Sequence, residues 1–407
     1  MYSTYAKVSV AGIGGKYTLI IGINMHKSSK IFIAGHRGLA GSALVRRFTA
    51  EGYTNIITRT HTELDLENNR NVIEFFEKER PEYVLLAAGR VGGILANSRY
   101  PVDFLLRNLK IQNNVLEAAW QCNVAGLLFL GSSCIYPKQA PQPLMEESLL
   151  TSLLEPTNEP YAIAKIAGIE LCEAFNRQYG TRFLSVMPTN LYGLNDSYDL
   201  EDSHVLPALI RKFHLGKLAS QGAWEAIKRD EESYGPIPGE LFACLAGIAR
   251  SNGHSVPFIP KEAAPRPAIR LWGSGSPRRE FLYSDDLTDA CLFLMQRLEE
   301  IFAARNSVYS SDRHSNASQH LFNIGSGRDL TIRELAGRVA REVGYKGEVE
   351  WDTTKPDGTP QKLLDTSRLA KLGWESSTSL EEGVRLAYRD YLSRQRQIRM
   401  LKQAAGT

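Results

Sequence analysis

The sequence predicts an α/β protein built on a doubly wound parallel sheet, with a smaller α/β lobe beside it. Three observations predict this. Short apolar runs alternate with helical patterns from Lys30 to about Tyr192. A glycine-rich turn joins the first run to the first helix. After Tyr192 the alternation loosens, which marks a second lobe. The chain has 407 residues, enough for two lobes at roughly 150 residues per domain.

The elements read off in order. Ile31–Ala34 is the first strand, followed by a turn and a helix from Leu39 to about Glu51. Asn55–Thr58 gives a second strand. Asn69–Arg80 gives a helix that Pro81 ends. Tyr83–Ala88 is a third strand, and one long helix is expected from about Asn97 to Gln121. Leu127–Gly131, Arg182–Val186 and Leu321–Ile324 are further compact runs, as expected of strands covered on both faces. Ile269–Trp272 reads as a strand, and Glu300–His320 reads as a polar loop. Thr331 can cap a helix reaching Val343, with Glu334 completing a capping box and Gly344 stopping it.

The expected layout starts with a poorly ordered extension at 1–29. Its alternative is an extra strand or arm packed on the fold. A Rossmann-type domain follows at 30–191 and a substrate-binding lobe mainly at 192–321. The chain then returns to the sheet at 322–330, and 331–395 completes the lobe. Ser220–Pro267 is rich in Gly, Pro, Ser and charge, and reads as a partly ordered insertion.

Composition narrows the classes. A net charge of +3 with 23% charged residues is too weak a bias for a nucleic-acid or membrane-surface partner. The five cysteines form no Cys-x-x-Cys pair and no zinc spacing, so reduced thiols in a cytoplasmic protein are expected, with no metal. No apolar run reaches the roughly 18 residues of a membrane span.

Gly35-His36-Arg37-Gly38-Leu39-Ala40-Gly41 lies between the first strand and its helix. The first glycine permits a tight turn, the second lets backbone approach a pyrophosphate, and the third lets helix and strand pack closely. The phosphates of a dinucleotide then meet the free amides of the helix start. An acidic residue ending the second strand would select NAD. Here Arg59 stands there, and with Arg37 it can take a 2′-phosphate, so NADP is the expected cofactor. Two solvated surface arginines are the plainer alternative.

Tyr161 and Lys165 sit four apart, on one face of a helix. An ammonium beside a phenol favours the phenolate, so Tyr161 is expected to exchange a proton with a carbonyl oxygen near neutral pH. Ser132 and Ser133 follow the fourth strand, at the end of the sheet where ligands gather.

With the glycine loop in its Gly-x-x-Gly-x-x-Gly spacing, this pair resembles the extended short-chain dehydrogenase/reductase family. Further segments narrow the resemblance: Val91-Gly-Gly-Ile94, Gly131–Pro137, Glu155–Lys165, Met187–Gly193, Ser203-His204-Val205, Trp272–Gly275, Arg279-Glu-Phe281 and Lys355–Pro360. They occur in the order found in the branch that turns GDP-4-keto-6-deoxy-D-mannose into GDP-L-fucose, by 3,5-epimerisation and NADPH-dependent 4-reduction.

The resemblance implies roles for the matching positions. Ser132, Tyr161 and Lys165 correspond to the reductase triad, and Cys134 and His204 to the acid/base pair for epimerisation. Leu130, Gly131, Ser133, Pro188, Thr189, Asn190 and Leu191 correspond to further cofactor contacts, with His204 touching the cofactor as well. Lys212, Trp272, Arg279 and Asp357 correspond to GDP-sugar contacts, although relatives can carry arginine where Lys212 stands. The resemblance also implies a homodimer, formed by two long helices per subunit. Two other readings stay open: a related nucleotide-sugar epimerase or dehydratase with a tightly held cofactor, and a non-catalytic nucleotide-binding scaffold. For the single residues, Cys134 can be a small buried hydrophobe, Trp272 core packing, Arg279 a surface ion pair and Asp357 a turn former.

Overall fold

The computed structural model describes residues 7–12, 15–20, 25–257, 267–306, 320–355 and 357–404. Two antiparallel strands, β1 (Lys7–Gly12) and β2 (Gly15–Ile20), come first as a separate hairpin. Ser28, Ser29 and Lys30 already belong to the body of the fold. Ser29 is buried, and the Lys30 amide donates to Glu82 at 3.0 Å.

The first half of the chain alternates strand and helix. It runs through β3 (Ile31–Ala34), α1 (Leu39–Ala50), β4 (Ile56–Ile57), α2 (Asn69–Glu79) and β5 (Tyr83–Leu86). The single helix expected from Asn97 is two: α3 (Ile94–Arg99) and α4 (Pro101–Gln121). Pro101 has no amide hydrogen and cannot continue α3, but it suits the first turn of a new helix. Next come β6 (Gly126–Leu130), α5 (Glu159–Tyr179), β7 (Phe183–Pro188) and β8 (Asn190–Tyr192).

The second half begins with α6 (Val205–Ser220), α7 (Trp224–Tyr234) and α8 (Gly239–Ser251). After these come β9 (Ala268–Trp272), β10 (Arg278–Tyr283), α9 (Ser284–Gln296) and α10 (Leu298–Asn306), the last lying where a polar loop was expected. β11 (Leu321–Ile324), β12 (Asp329–Thr331) and α11 (Ile332–Val343) follow. Thr331 caps α11 with a capping box to Glu334, and Gly344 ends it in the left-handed conformation. The chain closes with β13 (Glu348–Asp352), β14 (Gln361–Lys362), α12 (Ser367–Ala370) and α13 (Leu380–Ala404).

Six strands form the parallel central sheet in the order β11-β7-β6-β5-β3-β4. Both faces are covered, which is why its strands are continuously apolar. Phe32, Phe76, Val115 and Ile169 pack on one face. Ile33, Leu44, Leu287 and Cys291 pack on the other. The order reverses beside β3, so the connections leaving β3 and β5 go to opposite faces of the sheet and leave a crevice for a ligand at its carboxyl end.

The second lobe is organised round β10, which pairs with β8, β12 and β14, and round the parallel pair β9 and β13. The stretch expected to be a partly ordered insertion, 220–267, carries α7 and α8. Ile227, Tyr234, Leu241, Leu245 and Ile248 are buried in the same core as Leu209 and Phe213 of α6. Residues 258–266 lie outside the described residues. Among the described residues, no helix is long and apolar enough to cross a membrane.

Candidate functional site

The glycine turn is shaped by close backbone approaches. A Cβ on Gly35, at φ +86°, would come within 2.7 Å of the Ala88 amide, and one on Gly41 within 2.0 Å of the Gly35 carbonyl. Only glycine satisfies either position. A Cβ on Gly38 would meet nothing nearer than the Gly35 oxygen at 3.5 Å. The open side of Gly38 therefore lies at the bare start of α1, where no side chain caps the free amides. This cradle fits a pyrophosphate.

His36 is half-buried and Arg37 exposed at this turn, with Leu39 and Ala40 opening α1. Arg59 is already engaged. It pairs with Glu79 at 2.8 Å and lies over the Phe75 ring at 5.5 Å. Arg37 and Arg59 both act on the Glu63 carboxylate, whose pKa is lowered mainly by hydrogen bonds from Thr60. Both guanidinium groups are therefore within electrostatic reach of the stretch after β4. The residues present fit a dinucleotide carrying a 2′-phosphate.

The carboxyl end of β6 carries the chemistry. The Ser132 hydroxyl accepts from the Cys134 amide at 3.4 Å and lies within hydrogen-bonding reach of the Tyr161 phenol. Lys165 is buried. Its ammonium donates to the Leu130 carbonyl at 2.8 Å and stands 5.9 Å from the centre of the Tyr161 ring. Phe104 meets Tyr161 edge to face, with centroids 6.0 Å apart. Gly131 and Ser133 are buried beside this group.

The expected acidification of Tyr161 by Lys165 is not what this geometry gives. Burial pushes the phenol well above its ordinary pKa, the Cys134 thiol adds to the rise, and the Ser132 hydrogen bond only partly offsets it. Burial also lowers Lys165 to about 8. The ammonium is spent on Leu130 and lies by the Phe129 ring at 4.8 Å, so its charge is not aimed at the phenol oxygen. Cys134 and His204 likewise depart from the near-neutral values expected of them. Burial pushes the Cys134 thiol up, against the pull of Lys362, Ser132 and Lys165. Surrounding protein lowers His204.

Among the described residues, no hydrogen bond or ring contact joins His204 to this cluster. It stands at the start of α6 as its N-cap residue, exposed. Its strand of chain is tied back through the Gly93 amide, which donates to Asp202 at 3.2 Å, and Gly92 lies against Phe104. Pro188 ends β7, and Leu191 pairs with Leu282 of β10. The side chains of Thr189 and Asn190 donate to the Glu280 carbonyl at 3.2 and 2.8 Å, so they stitch the two lobes together.

The residues expected to hold a GDP-sugar lie on the second lobe. Lys212 of α6 is half-buried, its ammonium disfavoured by burial, with Cys244 and Glu240 of α8 close enough to raise it. Arg279 of β10 faces Asp357. Asp357 accepts from the Ser274 amide at 2.9 Å and its hydroxyl at 2.7 Å, which pins the Gly273–Gly275 turn. Trp272 is 54% exposed, with the Lys355 ammonium 5.4 Å from its ring. That exposure argues against core packing as its reason for being there.

Lys362 carries no signal in the sequence, and Glu155 only opens a matching segment. Lys362 sits in β14, in register with Arg279, beside Cys134, with Arg279 and Glu155 as its other charged neighbours. A lysine after a turn-rich segment reads as a surface residue. Only the pairing of β14 with β10 brings it to the thiol.

The NAD dependent epimerase/dehydratase family matches residues 31–230 and 245–309. The chain is 48% identical to GDP-L-fucose synthase 1 of Arabidopsis thaliana over 366 residues, 90% of this chain and 94% of that one. It is 45% identical to GDP-L-fucose synthase of Escherichia coli K12, over 91% of this chain and 98% of the relative. Among solved structures, the GDP-D-glycero-L-gluco-heptose synthase of Campylobacter jejuni in the presence of NADPH superposes with a TM-score of 0.76. It is 37% identical and covers 90% of this chain and 99% of its own. From its fold, its motifs and these relatives, the chain belongs to the NAD dependent epimerase/dehydratase family, alongside the GDP-L-fucose synthases.

Proposed function

We propose that this enzyme converts GDP-4-keto-6-deoxy-D-mannose into GDP-L-fucose, by epimerisation at C3 and C5 and NADPH-dependent reduction at C4. The observation that carries the reading is the joint placement of Ser132, Cys134, Tyr161 and Lys165 at the end of β6 and the start of α5. The curated relatives support the substrate and product.

The 4-keto group makes the hydrogens on both adjacent carbons acidic. Removing one breaks a C–H bond and sends the electron pair to the C4 oxygen as an enolate. Ser132 and Tyr161, both able to donate, would hold that oxygen. Cys134 and His204 form the acid/base pair, one taking the proton and the other returning one to the opposite face. Bound NADPH supplies the hydride for C4. Tyr161, kept protonated by burial, then gives its proton to the same oxygen. Lys165, with donors left beyond its bond to Leu130, would hold the nicotinamide ribose. Arg37 and Arg59 would take the 2′-phosphate, Arg59 exchanging part of its contact with Glu79. Lys212, Trp272, Arg279 and Asp357 hold the GDP-sugar.

The quaternary state proposed is a homodimer through α4 and α5. An apolar groove runs between these helices, lined by Leu109, Trp120, Leu171, Phe175 and Tyr179. Val102, Leu106 and Ile163 on the same two helices are exposed, as an unpaired interface leaves them.

The deciding experiment supplies GDP-4-keto-6-deoxy-D-mannose and NADPH in deuterated water and identifies the product by NMR. Cys134→Ser and His204→Gln should abolish deuterium uptake at C3 and C5 while NADPH still binds. GDP-L-fucose made at the parent's rate by both variants would overturn the assignment of the acid and base.

A further inference from the structure

The residues assigned to the GDP-sugar hang on very short elements. β14 pairs with β10 over two positions only, Gln361 with Arg278 and Lys362 with Arg279. Asp357 lies just before it, facing Arg279 and holding the Ser274 amide and hydroxyl. Two paired positions are too few to fix where this strand and Arg279 stand. The structure supplies a further tie in the buried carboxylate of Glu280.

Glu280 follows Arg279 in β10, so its side chain points to the opposite face of the strand. It is fully buried. One carboxylate oxygen accepts from the Leu364 amide at 3.0 Å, just past β14. The other accepts from the Gly327 amide at 2.7 Å and the Ser326 hydroxyl at 3.4 Å, in the turn between β11 and β12. A Cβ on Gly325 would lie 2.3 Å from that oxygen, so the turn is closed tightly on the carboxylate. Leu364 lies in a stretch zipped to the loop that follows Cys134. There the Leu144 amide donates to Leu363 at 2.7 Å, and the Asp365 amide to Leu144 at 2.8 Å.

Among the described residues Glu280 makes no ion pair, and backbone amides and a hydroxyl meet its charge instead. Burying a carboxylate without a cation is costly, and an apolar side chain would serve better as a mere spacer. The site asks for something else. Three donors from two segments converge on it, and only an ionised carboxylate offers acceptors on both oxygens and no donor of its own.

We propose that Glu280 is a positioning residue for the nucleotide end of the substrate. By joining Leu364 to the 325–327 turn, it holds β14, Asp357 and Arg279 at the spacing that GDP spans. Glu280 itself faces away from the nucleotide and acts through these neighbours. The proposal rests on the function given above, which sets GDP against Trp272, Arg279 and Asp357.

The test titrates GDP calorimetrically into the NADPH-loaded full chain, and NADPH into the unloaded chain, recording affinity and number of sites. Glu280→Gln keeps the shape but turns an NH2 group toward the Leu364 or Gly327 amide, donor against donor. It should weaken GDP at least about tenfold, with NADPH affinity and both site numbers near those of the parent. Glu280→Asp keeps both acceptors on a shorter stem and should recover part of the loss. Gly325→Ala leaves the carboxylate in place but wedges a methyl group against it, and should reproduce the Gln defect. It also decides the matter if Glu280→Gln does not fold. A residue that only stabilised the fold would lower the number of sites and leave the affinity of those that remain unchanged. That result would overturn the proposal, as would parental GDP affinity in Gly325→Ala, or GDP and NADPH weakening in step. A parent that binds NADPH but not GDP would sink the proposed function instead.

Discussion

At the cofactor cleft, Lys165 is buried with the Leu130 carbonyl as its hydrogen-bond partner and, among the described residues, no carboxylate paired with it. In the second lobe, Arg211 is buried just as fully, but it donates to Asp230 at 2.8 Å and to the carbonyls of Tyr198, Tyr234 and Gly235. Asp230 in turn accepts from the hydroxyl of Tyr391 and from Gln395. Both sites take a cation out of water, which is costly unless every donor is met. The saturated network fixes the charge on Arg211 and binds α6, α7 and α13 together. The unsaturated site leaves the charge on Lys165 open to adjustment, and burial brings its pKa down to about 8. A charge that can be adjusted is useful to a proton-transfer site and of little use as a clamp.

The comparison can be broken in three ways. The largest effect belongs to the adjustable site. Tyr161→Phe should cut hydride transfer by roughly 10²- to 10⁴-fold, read from NADPH absorbance in a single turnover, with NADPH affinity almost unchanged. If affinity falls in step with rate, the phenol is a binding group and the contrast fails.

The next effect belongs to the saturated network. Asp230→Ala should lower stability in urea by about 3–5 kcal/mol, because it strands a buried guanidinium. Lys165→Met in the same assay should cost little, since it removes a poorly partnered charge. Equal losses would show that the two sites bear load alike.

Asp196 gives the subtlest case, lying between the two. It is buried, accepts from the Ser197 amide at 2.8 Å, and leaves its second oxygen without a partner among the described residues. Burial pushes it up to about 7 from 3.8, against the pull of the Ser197 amide and Arg394. The folded state therefore prefers the neutral acid. Its contribution to stability is fully present below pH 3.8 and is lost as pH rises to about 7. Asp196→Asn should flatten that part of the curve of stability against pH. An unchanged slope between these limits would place the ionised form in the fold already.

Local features made most of this legible in the sequence. The Gly35–Gly41 turn, the Tyr161/Lys165 pair on one helix face and the Thr331 capping box each lie within a single turn or helix. Short-range geometry decides such features, so spacing alone reveals them. The break at Pro101 was equally local and was passed over. Longer-range features stayed hidden. Ile227, Leu241 and Ile248 sit in a stretch diluted with Gly, Pro and charge, and only contact with α6 shows that they are core. The partnership of Lys362 with Cys134 spans 228 positions and depends on β14 lying beside β10. The acidity of Tyr161 was misjudged for a related reason. Spacing puts a lysine near, but burial and the direction of the ammonium decide the sign.

The strand order carries a consequence for how the protein is made. β11 is one border of the central sheet and, among the described residues, pairs only with β7, yet it is translated more than a hundred residues after it. Until Leu321–Ile324 leave the ribosome, β7 presents bare amides and carbonyls that any other extended chain could dock against. The nascent protein must carry that sticky border through synthesis of the whole α6 to α10 stretch, which makes this interval the period of greatest exposure to aggregation.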